Sequence, residues 1–233
     1  MMIDLLLEHI TFRHRPRLYS GAEKEAKSTD AQVMRLPEPM QRYLRYAGVV
    51  GKEPIHMVHL RQRGVMRLSP LVWFSATDRF SEGHGTMSIK LLSLIPLGNE
   101  RGPEMDQSTL VRYLGEIAWF PTAWLSDAIE WETIDADSVK VTIHEPHVSA
   151  AAVLSVNEQG QPILFTADRY MEEHGRYRLT PWSVRSNEFR EVGGMRIPTN
   201  FEVTWHLDSG DFTWLRGEIT EIEYNQSGNV TKF

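Results

Sequence analysis

Two spacings of apolar residues divide the chain. Ile3, Leu6, Leu7 and Ile10 recur every three to four positions, which predicts a helix over residues 1–12. The polar stretch SGAEKEAKSTDAQ (20–32) follows as a connector. In LPEPMQRYLRYAGV (36–49) the apolar stripe is Met40, Tyr43, Leu44 and Ala47. Pro39 suits a first turn and Gly48 a stop, so a short helix is predicted. After Pro54 the spacing falls to two. Strands are predicted from Ile55 to Leu68 and from Leu71 to Phe80, joined only by Ser69-Pro70. SEGHG (81–85) reads as a turn, and Thr86–Leu94 as a third strand or the start of an apolar helix, limited by Pro96. The longest helical pattern runs from Pro103 to about Phe120. Glu104 and Asp106 lie in its first turn, where the helix dipole favours negative charge. Met105, Leu110, Leu114, Ile117 and Ala118 form its apolar face, and Pro121 ends it.

From residue 129 the period is two almost to the end. Strands are predicted at 129–134, 139–144, 148–156, 162–170, 183–191, 196–207 and 212–224. Turn signals divide them, such as Glu158-Gln159-Gly160, Gly193-Gly194 and Asp208-Ser209-Gly210. Phe201, Val203, Trp205 and Leu207 alternate with Glu202, Thr204, His206 and Asp208, the pattern of a sheet with one buried and one wet face. Connections this short join antiparallel neighbours. The expected fold is α+β: a curved, half-barrel-like antiparallel sheet of about eight to ten strands, with the long helix packed on one face. The expected organisation is an N-terminal helix and connector over 1–32, one β-rich domain over 33–225 and a tail over 226–233.

Composition narrows the chemistry. The 233 residues contain no cysteine, which removes disulfides, thiolate metal ligands and a thiol nucleophile. A net charge of −6 and a pI near 5.9 leave no basic field for a phosphate backbone, so nucleic acid is not an expected partner. No apolar run reaches the ~18 residues that a membrane helix needs. MMIDLLLEHITF is broken by Asp4 and Glu8, with no basic start and no small-residue cleavage site. A cytoplasmic protein is expected. There is no βαβ rhythm, no glycine-rich phosphate loop and no G-x-S-x-G elbow, and no cofactor is expected. His144 and His147 flank Glu145-Pro146, but a turn there and the want of a third ligand speak against a metal site.

Two groups of residues carry candidate chemistry. DRFSEGHG (78–85) and DRYMEEHG (168–175) echo each other. Asp78, His84, Asp168, Arg169 and His174 are therefore candidates for proton transfer at equivalent strand ends, since carboxylate beside imidazole is the minimum for acid–base work. The plainer alternative is charge at the solvated ends of strands. The second group is aromatic: Trp73, Trp119, Phe120, Trp124, Trp182 and Trp205. A helix with a wide apolar stripe facing a one-sided sheet either leaves an apolar cavity or fills it with side chains. The leading expectation is a binding module for an apolar or lipid-like small molecule, with those aromatics as its lining. A cofactor-independent enzyme is the alternative, and a partner-binding domain with an exposed apolar patch is the third.

The motifs LPEPMQRYLRYAG, HGTMSIKLLSLIPL, GPEMDQSTLVRYLGEIAWFPTAWL, FREVGGMRIPTNFEVTW and GEITEIEYN together resemble a bacterial family of uncharacterised proteins, catalogued only as a domain of unknown function. The resemblance spans residues 33–225 and implies no activity. GGMRIP ahead of an alternating strand is also similar, at fold level, to the sheet of periplasmic lipoprotein carriers, half-barrels whose concave face holds lipid against helices. A likeness of that kind speaks to fold, since function lives in the site. The first resemblance implies a longer stretch where Ser69-Pro70 stands here, and a missing strand would leave a sheet edge open to pairing.

Overall fold

The computed structural model describes the backbone of residues 3–5, 10–13, 26–66, 74–81, 84–91, 95–100, 102–173, 176–225 and 231–233. It describes side chains in 26–64, 102–172, 176–225 and 231–233. Strands β1 (Ile3–Leu5) and β2 (Ile10–Arg13) precede helices α1 (Asp30–Val33) and α2 (Glu38–Ala47). Strands β3 (Met57–Met66), β4 (Phe74–Ser81), β5 (His84–Leu91) and β6 (Ile95–Glu100) lead to helix α3 (Pro103–Glu116). A run of strands follows: β7 (Ile129–Thr133), β8 (Ser138–Glu145), β9 (Val148–Val156), β10 (Pro162–Glu173), β11 (Arg176–Val192), β12 (Met195–Leu207), β13 (Gly210–Tyr224) and β14 (Thr231–Lys232).

β7 to β13 are successive antiparallel neighbours, and β13 pairs back onto β3. The large sheet runs β1-β3-β13-β12-β11-β10-β9-β8-β7, with β2 also on β3 and β14 on β13. β4, β5 and β6 form a separate three-stranded sheet. The α+β class and the antiparallel sheet therefore match the reading of the sequence.

Where residues 1–13 are described, the helix expected over 1–12 is replaced by strand, at 3–5 and 10–13. Ile3–Leu5 pairs with Met66–Gly64, and Ile10–Arg13 pairs with Leu60–Met57, as antiparallel strands. The reason is the edge of the sheet. β3 pairs with β13 on one side, and its other side would present a row of unpaired amides and carbonyls. A helix this short gains little from its own hydrogen bonds, so pairing with that edge wins. Part of the expected tail is also recruited, since Thr231 and Lys232 pair with Ile222 and Glu221.

α2 follows its pattern closely. Met40, Tyr43, Leu44 and Ala47 are fully buried, and Gly48 closes the helix in the left-handed region at φ 71°. Arg42 and Tyr46 fasten it to the strand turns: Arg42 Nη2 donates to Asp137 Oδ1 at 2.8 Å, and the Tyr46 hydroxyl accepts from Gln161 Nε2 at 3.1 Å. α3 behaves differently. It packs on β9 and β10 of the large sheet and also on β4 and β5 of the small one. A helix enclosed on two sides buries polar as well as apolar positions, here Asp106, Ser108, Thr109 and Glu116. It ends four residues before the expected Phe120. Pro121 has no N–H and its ring crowds the preceding turn, so Phe120 N–H instead reaches the Ile117 carbonyl at 3.0 Å. Two 3-10 turns, Ile117–Trp119 and Pro121–Leu125, then carry Trp119, Phe120 and Trp124 into the core.

Candidate functional site

Alternation along β10 sends Phe165, Ala167 and Arg169 to the face covered by α3, and Thr166 and Asp168 to the other. Arg169 is 7% exposed, rare for a guanidinium. Its Nε donates to the Ser108 carbonyl on α3 at 3.2 Å. The guanidinium carbon lies 5.3 Å from the centre of the Trp182 ring and 5.8 Å from that of Trp205, both within cation–π range. Among the described residues its two Nη groups make no hydrogen bond and no ion pair, although the Glu116 carboxyl is near enough to act on its charge.

α3 adds two more charges. Ser108, Arg112 and Glu116 recur every four residues and so share one face of the helix. Arg112 Nε donates to Glu116 Oε1 at 2.7 Å. Ser108 Oγ donates to the Tyr170 carbonyl at 3.0 Å and Gln107 Nε2 to the Asp168 carbonyl at 2.9 Å, which fastens α3 to β10. Gly115 of the helix faces the rings of Phe165 and Trp182.

Burial dominates the electrostatics here. It pushes the Glu116 carboxyl above its ordinary value, against the pull of Arg112 and then Arg169. It pulls Arg169 down to about 9, helped by Arg112 and opposed by Glu116. Arg169 therefore stays charged at neutral pH. Arg112 and Arg169 both act on the one carboxyl of Glu116. Two buried polar atoms nearby have no partner: the indole Nε1 of Trp182 and Oε1 of Gln107. Unmade hydrogen bonds of this kind cost about 1–3 kcal/mol each.

Register extends the site toward solvent. Trp182 on β11 pairs with Trp205 on β12, and Trp205 with Phe212 on β13. Directly opposed residues share a face, so the three rings form a row. Trp182 is 4% exposed, Trp205 is half-buried and Phe212 is 38% exposed. The row thus runs from the surface to the guanidinium of Arg169.

A raised carboxyl binds its proton more readily folded than unfolded. The contribution of Glu116 to stability is therefore full below its ordinary value of 4.5 and is lost as pH rises through its folded value. Glu116→Gln mimics the protonated form. Its stability relative to the native protein is expected to rise between pH 4.5 and 8, read from urea midpoints. A difference that stays flat, or falls, would refute this.

The other residues singled out from the sequence are scattered. Asp168 is exposed on the face opposite Arg169, because successive strand residues point apart. Asp78 and His84 lie on β4 and β5, in the other sheet. Trp73 and His174 lie outside the described residues. The echo does not mark equivalent corners. The β4–β5 hairpin closes on Ser81 and His84, whereas β10–β11 closes on Glu173 and Arg176, out of phase with the repeat. Phe120 and Trp124 are buried in the core, and Trp119 lies against Phe201 at 5.4 Å. Of the expected aromatics, Trp182 and Trp205 flank Arg169. Reading Ser108, Arg112 and Glu116 as a stripe would have found the helix side of the site.

The outer face of the sheet holds a relay: Ser183 Oγ is 2.9 Å from His206 Nε2, and His206 Nδ1 is 2.7 Å from Asp211 Oδ1. That is the order of a serine nucleophile and its base. Acyl transfer also needs free donors for the oxyanion. Ser183 pairs with Thr166 on one side and Thr204 on the other, so the surrounding amides sit inside the ladder. The relay acts as a cross-strand clasp. Among the described residues, no three His, Asp or Glu side chains group to hold a metal ion, and no helix is long and apolar enough to cross a membrane.

A family model described as a family of unknown function (DUF6544) matches residues 26–72 and 66–217. No curated protein matches. Among solved structures, a LolA superfamily protein from Nitrosomonas europaea is 14% identical, with a TM-score of 0.32, covering 72% of this chain and 77% of that one.

Proposed function

The chain belongs to the DUF6544 family of unknown function, and we propose that it is a binding module for an apolar, lipid-like small molecule held on the inner face of the large sheet. The observation that carries this reading is the aromatic row Phe212–Trp205–Trp182. Exposed large apolar side chains are ordinary when single, but a continuous row leading inward is a surface on which an apolar chain loses water. Aromatic side chains supply much area at little entropic cost.

N-phenyl-1-naphthylamine, an uncharged dye that brightens in apolar surroundings, tests the proposal. Saturable binding is expected. Trp205→Ala should weaken it about tenfold, the effect of losing roughly 1.4 kcal/mol of aromatic burial. Phe212→Ala should weaken it less, since its ring is the more exposed. No saturable binding, or binding indifferent to both replacements, would sink the proposal.

A further inference from the structure

We infer that the outer face of the β10–β11 hairpin docks a short basic segment of another protein, one whose apolar anchor is flanked by Lys or Arg. β11 is in register with β12 only from Trp182 onward, so Arg176–Pro181 and its partners on β10 form a two-stranded arm at that end of the sheet. Along the body of β11 the alternation is ordinary. Trp182 and Val184 pack toward the core, and Ser183 and Arg185 face outward. In the arm the alternation is inverted. Tyr177, Leu179 and Pro181 take the outward positions and all three are exposed, Leu179 at 49%. Thr180, on the inward side, is fully buried. Tyr170 stands opposite Leu179 and shares its face. Single exposed apolar side chains are ordinary, but a contiguous set at the outward positions of one hairpin marks an interaction surface. It lies on the opposite face of the sheet from the aromatic row.

Charge and size select the occupant. Asp168 lies directly opposite Pro181 and Glu172 opposite Tyr177, both exposed, so carboxylates bracket the apolar set. Asp211, exposed on the same outward face, holds His206 Nδ1 at 2.7 Å. Arg176 and Arg178 occupy the alternate positions, and Arg178 Nη1 donates to Asp208 Oδ2 at 2.9 Å. The outward surface is therefore apolar with an acidic rim, on a chain of net charge −6. An anionic bilayer would meet that rim as like charge. A second copy would bring the same carboxylates face to face, and Tyr170, Tyr177, Leu179 and Pro181 are few beside the roughly 20–30 residues a side of a stable dimer. A short segment fits both constraints. Its apolar anchor covers Leu179 and Pro181, and its flanking cations complement Asp168 and Glu172.

A display library of random dodecapeptides, selected on the immobilised full chain, tests the assignment. Enriched sequences are expected to place Leu, Phe, Tyr or Trp beside Lys or Arg. Synthetic peptides of those sequences should then bind saturably in fluorescence anisotropy. Leu179→Ser should weaken that binding about tenfold, the scale of one apolar anchor. Asp168→Asn should weaken it less and flatten its dependence on salt. Both side chains are exposed, so both variants should fold. Ile134→Ser, at a side chain 51% exposed just after β7, is the matched control and should change nothing. Failure to enrich any sequence, enrichment of acidic or wholly polar sequences, or binding that survives Leu179→Ser overturns the proposal. So does cosedimentation with vesicles containing phosphatidylglycerol, or a dimer in sedimentation velocity, if Leu179→Ser abolishes it. The surface would then belong to lipid or to a second copy.

Discussion

Replacing Trp124 by alanine is expected to lower the unfolding free energy by about 3–5 kcal/mol, the range for removing a buried tryptophan. Trp124 is 1% exposed and among the largest fully buried side chains. Its ring leans on Trp131, with centroids 5.6 Å apart and planes at 55°. Beside it the Tyr43 hydroxyl is fully buried, and that burial pushes its pKa up. The 3-10 turn that begins at Pro121 places Trp124 there, between α2 and the strands. Truncation leaves a cavity that a layer pinned on both sides cannot close. Urea unfolding with an unchanged slope measures the loss. A loss below about 1 kcal/mol would mean that the space is slack. Trp124 would then belong with the ligand-lining aromatics instead of the packed core.

Gly160→Ala is expected to cost about 2–5 kcal/mol. The residue sits in the β9–β10 turn at φ +86°, a region that costs an L-residue about 1–2 kcal/mol. A Cβ there would lie 2.7 Å from the Arg42 carbonyl oxygen and 2.8 Å from Tyr46 Cβ. Both belong to α2, so the helix itself would have to move, and overpacking of this sort adds about 1–3 kcal/mol. Gly51→Ala is the matched control. Its φ is +81°, and nothing lies within 4 Å of the added carbon. It should show the backbone cost alone. Equal losses at the two positions would show that α2 does not press on this turn.

Local pattern and environment disagree on the face of the sheet that α3 covers. Ser108, Arg112 and Glu116 would be an unremarkable solvated stripe on an isolated helix. Enclosure of α3 between two sheets makes them the polar wall of an interior. Arg169 likewise occupies an inward position that alternation reserves for apolar residues. A guanidinium kept there loses most of its hydration, and perturbed groups of that kind concentrate at functional positions.

Much of the architecture is legible in periodicity. The stripe through Met40, Tyr43, Leu44 and Ala47, closed by Gly48, becomes α2 with every member of the stripe buried. Alternation over 201–208 becomes β12, with Phe201 and Val203 inward and Thr204 and His206 outward. These signals are reliable because they report which face of an element is apolar, and that face must be covered. The site is legible only in part. Arg169, Trp182 and Trp205 all attract notice in the sequence, but in separate groups. Arg169 is naturally read with its neighbour Asp168, from which the pleat separates it.

What the chain determined by itself is therefore local: the elements, their faces, and the antiparallel pairing that short turns enforce. The tertiary structure alone decided which elements meet. It turned the N-terminal helical pattern into edge strands, because the open side of β3 offered hydrogen bonds that a short helix could not match. It set the register that lines up Trp182, Trp205 and Phe212. It also brought the polar stripe of α3 over Arg169. Periodicity names a face but not what lies against it, and the cluster of Arg112, Glu116 and Arg169 arises from that long-range contact.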